Sequence, residues 1–93
     1  MENYFIGGIS LEKIIVEIKC PALSESFEFR ISKKLSVNEG IEKIISEIRS
    51  YAGNELVLSG DVNILSKKTG LVLNKKMSFT ENGVISGDIL MIM

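Results

Sequence analysis

The 93-residue chain is long enough for one domain with one modest core, and its 45% hydrophobic and 25% charged content is that of a globular protein, not a disordered one. A net charge of −1 supplies no global field toward nucleic acid or anionic lipid, and the longest apolar run, residues 89–93, is far short of a membrane span. A single cysteine, Cys20, and no histidine exclude an internal disulfide, a Ser-His or Cys-His nucleophile pair and a His-ligated metal.

Residues 1–12, MENYFIGGISLE, have neither the basic start nor the apolar stretch of a signal peptide, which together with the lone cysteine suits a cytoplasmic protein. Gly7-Gly8 interrupt any regular element there, so 1–12 are predicted to be an N-terminal tail or extension, with the domain over 13–93. From Lys13 to Lys19 the period is two: Ile14, Val16 and Ile18 share one side, Ile15, Glu17 and Lys19 the other. CPALSES reads as a loop. Phe27 to Ser32 then alternates again, with Phe27, Phe29 and Ile31 inward, giving an antiparallel hairpin with one apolar face.

The period changes at Ser36-Val37-Asn38-Glu39, a capping box in which Ser36 caps the first turn and Glu39 reaches back to the cap's backbone N–H. Val37, Ile41, Ile44, Ile45, Ile48 and Ala52 form one apolar stripe on a helix that Gly53 ends. ELVLSGD is ambiguous, with Gly60-Asp61 turning the chain into a strand at 62–66. KKTG is a turn and 71–73 a short strand. Ser78 to Glu81 repeats the capping-box spacing, and Asn82-Gly83 stops that segment after one turn. Residues 86–88 turn into a last strand, Ile89 to Met93.

The order β-β-α-β-β-short helix-β predicts an α+β fold, a mixed sheet of four to five strands packed on one helix, which is the β-grasp architecture. The segments CPALSESFEFRI and SKKTGLVLNKKMSFTENGVISGDILMIM, with the capped helix between them, resemble the YukD-type ubiquitin-like proteins over residues 13–93. The resemblance implies a ubiquitin-like β-grasp domain associated with type VII, WXG100-type, secretion. Conjugated modifiers and sulfur carriers of this fold need a C-terminal diglycine. Here Ile92-Met93 fall inside the predicted strand and the Gly-Gly pair is Gly7-Gly8, so the expectation is a non-conjugated protein.

No pattern of catalysis stands out. Cys20 has no neighbour in sequence to activate a thiolate, and the carboxylates of Glu25, Glu28, Glu39, Glu42 and Glu47 are spread over solvent faces. No phosphate-cradling glycine motif is present, and no cofactor or metal is expected. The pairs Lys33-Lys34, Lys67-Lys68 and Lys75-Lys76 sit in turns without interleaved aromatic residues, which reads as solvation and not nucleic-acid binding.

The last strand is apolar on both parities. In the β-grasp sheet it lies in the middle, so each of its faces must be covered, one by the helix and the other by a partner, a second copy or residues 1–12. The alternation is read here with Ile89, Met91 and Met93 toward the helix. Leu90 and Ile92 then face the other way, joined by Ile15 and by Leu65, or Ile64 if that register shifts by one. Ile15, Leu65, Leu90 and Ile92 are the predicted partner-binding residues, each contributing roughly 1.5–3 kcal/mol if buried. The expected function is a non-enzymatic accessory protein that docks this face onto a component of the secretion machinery. The alternatives are a generic β-grasp adaptor or homodimer, and a carrier whose glycine tail is missing. Neither nucleic-acid binding nor membrane insertion is expected.

Overall fold

The structure, a computed structural model, describes residues 3–6, 12–53, 58 and 60–93. In chain order the elements are β1 (Asn3–Ile6), β2 (Lys13–Cys20), a 3-10 turn (Pro21–Leu23), β3 (Glu25–Ser32), α1 (Val37–Ala52), β4 (Ile64–Ser66) and β5 (Ile89–Ile92). They form a mixed five-stranded sheet in the order β1-β3-β2-β5-β4 with α1 on one side. This is the expected β-grasp arrangement.

The opening hairpin is longer than the alternation alone indicates. Ser24 in the left-handed region (φ 53°) closes the 3-10 turn, so pairing runs from Lys13–Ser32 to Cys20–Glu25. Ile14, Val16, Ile18, Phe27, Phe29 and Ile31 are buried on one face, as their period requires.

Helix α1 meets that face with Val37, Ile41, Ile44 and Ile48, all buried, while Ile45 is half-buried at the margin. Its first N–H groups are fully accounted for. Val37 N–H donates to the Met77 carbonyl (2.9 Å), Asn38 N–H to the Lys75 carbonyl (3.0 Å), and Gly40 N–H to the Ser36 carbonyl (2.9 Å). Glu39 N–H donates to Ser36 Oγ (3.2 Å), and the Ser36 hydroxyl donates in turn to the Glu39 carboxylate (2.9 Å). The carboxylate thus meets the cap's hydroxyl in place of the expected backbone N–H. Gly53 (φ 63°) is the C-cap.

Four predicted elements are realised differently. The strand at 62–66 is realised as Ile64–Ser66, and 71–73 contributes an isolated bridge, Leu65 to Val72, flanked by Ser66 N–H to Leu71 carbonyl (2.9 Å) and Leu73 N–H to Ile64 carbonyl (2.8 Å). The second capping box forms reciprocally: Ser78 N–H donates to the Glu81 carboxylate (2.9 Å) and Glu81 N–H to Ser78 Oγ (3.1 Å). What it caps is a series of turns over 78–83, because Gly83 (φ 82°) arrives before a helical turn can repeat. Finally, within the predicted tail or extension over 1–12, Asn3–Ile6 is a strand. It lies at the sheet edge, parallel to β3, with Tyr4 opposite Phe29. A four-residue edge strand beside a Gly-Gly pair leaves too short an alternation to read. Residues 54–57 and 59, most of the ambiguous ELVLSGD, lie outside the described residues.

Candidate docking face of the sheet

The parity of β5 corrects the sequence reading. Leu90 and Ile92 are fully buried in the core with the helix, and Ile89 and Met93 are 37% and 49% exposed on the opposite side. The cause is register. Ile18, buried, is the parallel partner of Leu90, and paired residues share a face. Three bonds from the preceding loop hold that register: Gly87 N–H donates to the Ile15 carbonyl (2.7 Å), Glu17 N–H to the Asp88 carbonyl (3.0 Å), and Ile15 N–H to Ser86 Oγ (3.0 Å). On the other edge Ile64 pairs with Ile92, Leu65 with Met91 and Ser66 with Leu90, so Ile64 also points into the core. Of the predicted partner-binding residues, Ile15 and Leu65 are therefore on the open face, and Leu90 and Ile92 are not.

The open face is read row by row from the pairing. At the level of Met91 it runs Val72, Leu65, Met91, Lys19 and Ser26 across the sheet. At the level of Ile89 it continues with Glu17 and Glu28. Met93 extends β5, exchanging hydrogen bonds with Asn63 (2.7 and 3.0 Å). Ile15, 38% exposed, stands diagonal to Ile89 on β2. The result is an apolar strip along β4 and β5 with a charged border on β2 and β3. Among the described residues no helix lies on this side. A contiguous apolar patch of this kind marks an interaction surface, unlike a lone exposed Ile. Alternation alone could not find it, since both parities of ILMIM are apolar; the register to β2 was the missing signal.

A groove of about 220 Å³ borders the strip at Met91, lined also by Lys19, Cys20, Pro21, Ser24, Glu25 and Ser26. Cys20 borders that groove with its side chain buried. Burial pushes the pKa of its thiol up despite backbone hydrogen bonds at Leu23 and Ala22 that pull it down. Among the described residues no cluster of three or more metal-ligating side chains occurs, and no helix is long and apolar enough to cross a membrane.

The loop that fixes β5 carries the best-defined electrostatics. Lys68 Nζ reaches the Asp88 carboxylate (2.8 Å) and the Gly83 carbonyl (3.0 Å), and Ile85 N–H donates to the same carboxylate (3.0 Å). Partial burial works to raise the Asp88 carboxyl. The bonds from Lys68 and Ile85, with the Lys68 charge, outweigh it and hold the group below its ordinary value. These contacts tie the loop ahead of β5 together, from Gly83 through Ile85 to Asp88.

One helix on one side of a mixed sheet, entered by a hairpin and completed by a central parallel strand, is the ubiquitin-like β-grasp fold. No family model matches the sequence, and comparison with curated proteins finds no match. Solved structures share the fold. The ubiquitin-like domain of EccD5 from Mycobacterium xenopi is 16% identical with a TM-score of 0.71, over 88% of this chain and 93% of that one. A ubiquitin-like domain of an Arabidopsis thaliana protein is 15% identical with a TM-score of 0.65, over 90% and 79%. A chain of the MycP5-free ESX-5 inner membrane complex is 19% identical with a TM-score of 0.66, over 88% of this chain and 21% of its own length.

Proposed function

We propose that the protein is a ubiquitin-like accessory module of a bacterial type VII secretion system. It works in the cytoplasm by noncovalent docking of its open sheet face onto a component of the secretion machinery, and binding, not catalysis, is its activity. The observation that carries this reading is the strip formed by Leu65, Val72, Ile89, Met91 and Met93, apolar side chains on a face that no helix among the described residues covers. A face of that kind gains free energy when a partner removes it from water. The secretion setting draws support from the sequence segments that resemble YukD-type proteins and from the fold likeness to EccD5 and to a chain of the ESX-5 complex.

The test is site-specific. A photo-crosslinking amino acid is placed at Met91 in a bacterium whose genome encodes WXG100 substrates and an FtsK-type ATPase beside this gene. A covalent adduct with a component of that system, identified by mass spectrometry, supports the reading. Adducts with no such component overturn it.

A further inference from the structure

On the β2–β3 flank of the open face Glu17 and Glu28 alternate with Lys19 and Arg30, and in the row of Ile89 charges of opposite sign stand on either side of β5. Lys67 N–H donates to the Ile89 carbonyl (3.1 Å), continuing the β4 ladder, and Glu17 is the partner of Ile89 on β2. Lys67, Ile89, Glu17 and Glu28 therefore lie abreast: a cation on one flank of the apolar strip, two carboxylates on the other. One row on, Leu65 and Lys19 flank Met91 in the same way. Such a pattern is complementary to itself. A two-fold axis running along β5 between two stacked sheets exchanges the flanks. Lys67 then stands over Glu17 of the second copy, Leu65 over the aliphatic stem of its Lys19, and the apolar strips meet on the axis.

We infer that in the free protein the open face is covered by a second copy of this chain, packed face to face about a two-fold axis along β5. The inference rests on the proposed use of this face for docking and adds its resting occupant. Sheets that pack aligned, within about 30° of each other and about 10 Å apart, keep rows near the axis in register. Within one chain Glu17 is engaged weakly, at 3.9 Å from Lys19 with both side chains more than a third exposed, so it is available to the second copy. Because the same residues serve both partners, the dimer and the machinery-bound form exclude one another. Self-association is then a reservoir that docking must open.

The experiment is sedimentation of the full chain over a concentration series, with Lys67→Glu, Glu17→Lys and Met91→Glu variants. The parent is expected to show a concentration-dependent dimer that Met91→Glu abolishes. Lys67→Glu and Glu17→Lys should each weaken it by about tenfold, since like charges then face each other twice. An equimolar mixture of those two variants should recover the association as a heterodimer, in which both contacts are again of opposite charge. This recovery is independent of any effect of one variant on folding. A monomer at every concentration overturns the inference, as does a mixture that associates no better than its components. Crosslinking through position 91 to a secretion component by a monomeric protein would overturn the dimer and leave the docking reading standing. A dimer without such crosslinks would do the reverse.

Discussion

Leu90 and Ile92 are enclosed completely between sheet and helix, whereas Ile89, Met91 and Met93, their neighbours in the chain, lie on the side opposite α1. The two sets are made of the same kinds of side chain. Nothing in their chemistry separates core from interface. The separation comes from the backbone of residues 86–88, which fixes which parity faces the helix. Hydrophobicity thus says that a side chain wants a cover, and register says whether the chain itself supplies it.

The largest effect should come from the enclosed set. Ile92→Ala is expected to cost about 2–5 kcal/mol by cavity formation, measured by denaturant unfolding, and Ile92→Glu should leave no cooperative transition because its carboxylate would be buried unpaired. A folded Ile92→Glu protein would return this residue to the open face and reverse the comparison.

Gly40 tests the helix-covered side at a different point. A Cβ there would stand 2.6 Å from the Phe79 ring, which is fully buried. Gly40→Ala should cost about 1–3 kcal/mol by overpacking, in spite of the better helix propensity of Ala. The loss should shrink in a Phe79→Leu background, and a double-mutant cycle on unfolding free energies checks it.

The register itself can be probed by acid. A carboxyl held below its ordinary value stabilises the fold at pH above that value, 3.8 for Asp88, and the contribution is lost as pH falls through the lower folded-state value. Asp88→Asn should therefore lower stability near neutrality and flatten its decline below pH 3.8. Parallel decline of parent and variant in urea titrations across that window would show that Asp88 does not tie the loop.

The smallest effect on stability is expected on the open side. Met91→Gln should change the unfolding free energy by about 1 kcal/mol or less, because its side chain is only half-buried. A loss as large as that of Ile92→Ala would erase the distinction between the two parities.

How much of this was legible depends on where each signal was stored. Strands β2 and β3 are antiparallel neighbours with polar residues on one face, so Glu17, Lys19, Glu28 and Arg30 mark the exterior, and the inward set was readable. Helix α1 announced itself through Ser36, Glu39 and Gly53. The parity of β5 was not readable, because it depends on bonds between residues 86–88 and residues 15–17, which are far apart in sequence. Two of the four predicted interface residues, Leu90 and Ile92, were misplaced for that one reason. Gly40 gave no warning either. A glycine in the first turn of a helix looks like a weak helix former until Phe79 is seen against it.

The pairing of β2 with β5 has a consequence for synthesis on the ribosome. Residues 13–52 supply a hairpin and a helix early, but the inner edge of β2 stays bare until residues 89–92 have emerged, since Glu17, Ile18 and Lys19 pair with Ile89, Leu90 and Met91. For most of translation the nascent chain therefore carries an unpaired strand edge beside a half-covered apolar face, the kind of surface that chaperones hold and that misassembles when they do not. A stop codon at Gly87 would remove the middle of the sheet, not trim a tail. The polypeptide released should be a client of the proteolytic machinery, not a shorter version of the same domain.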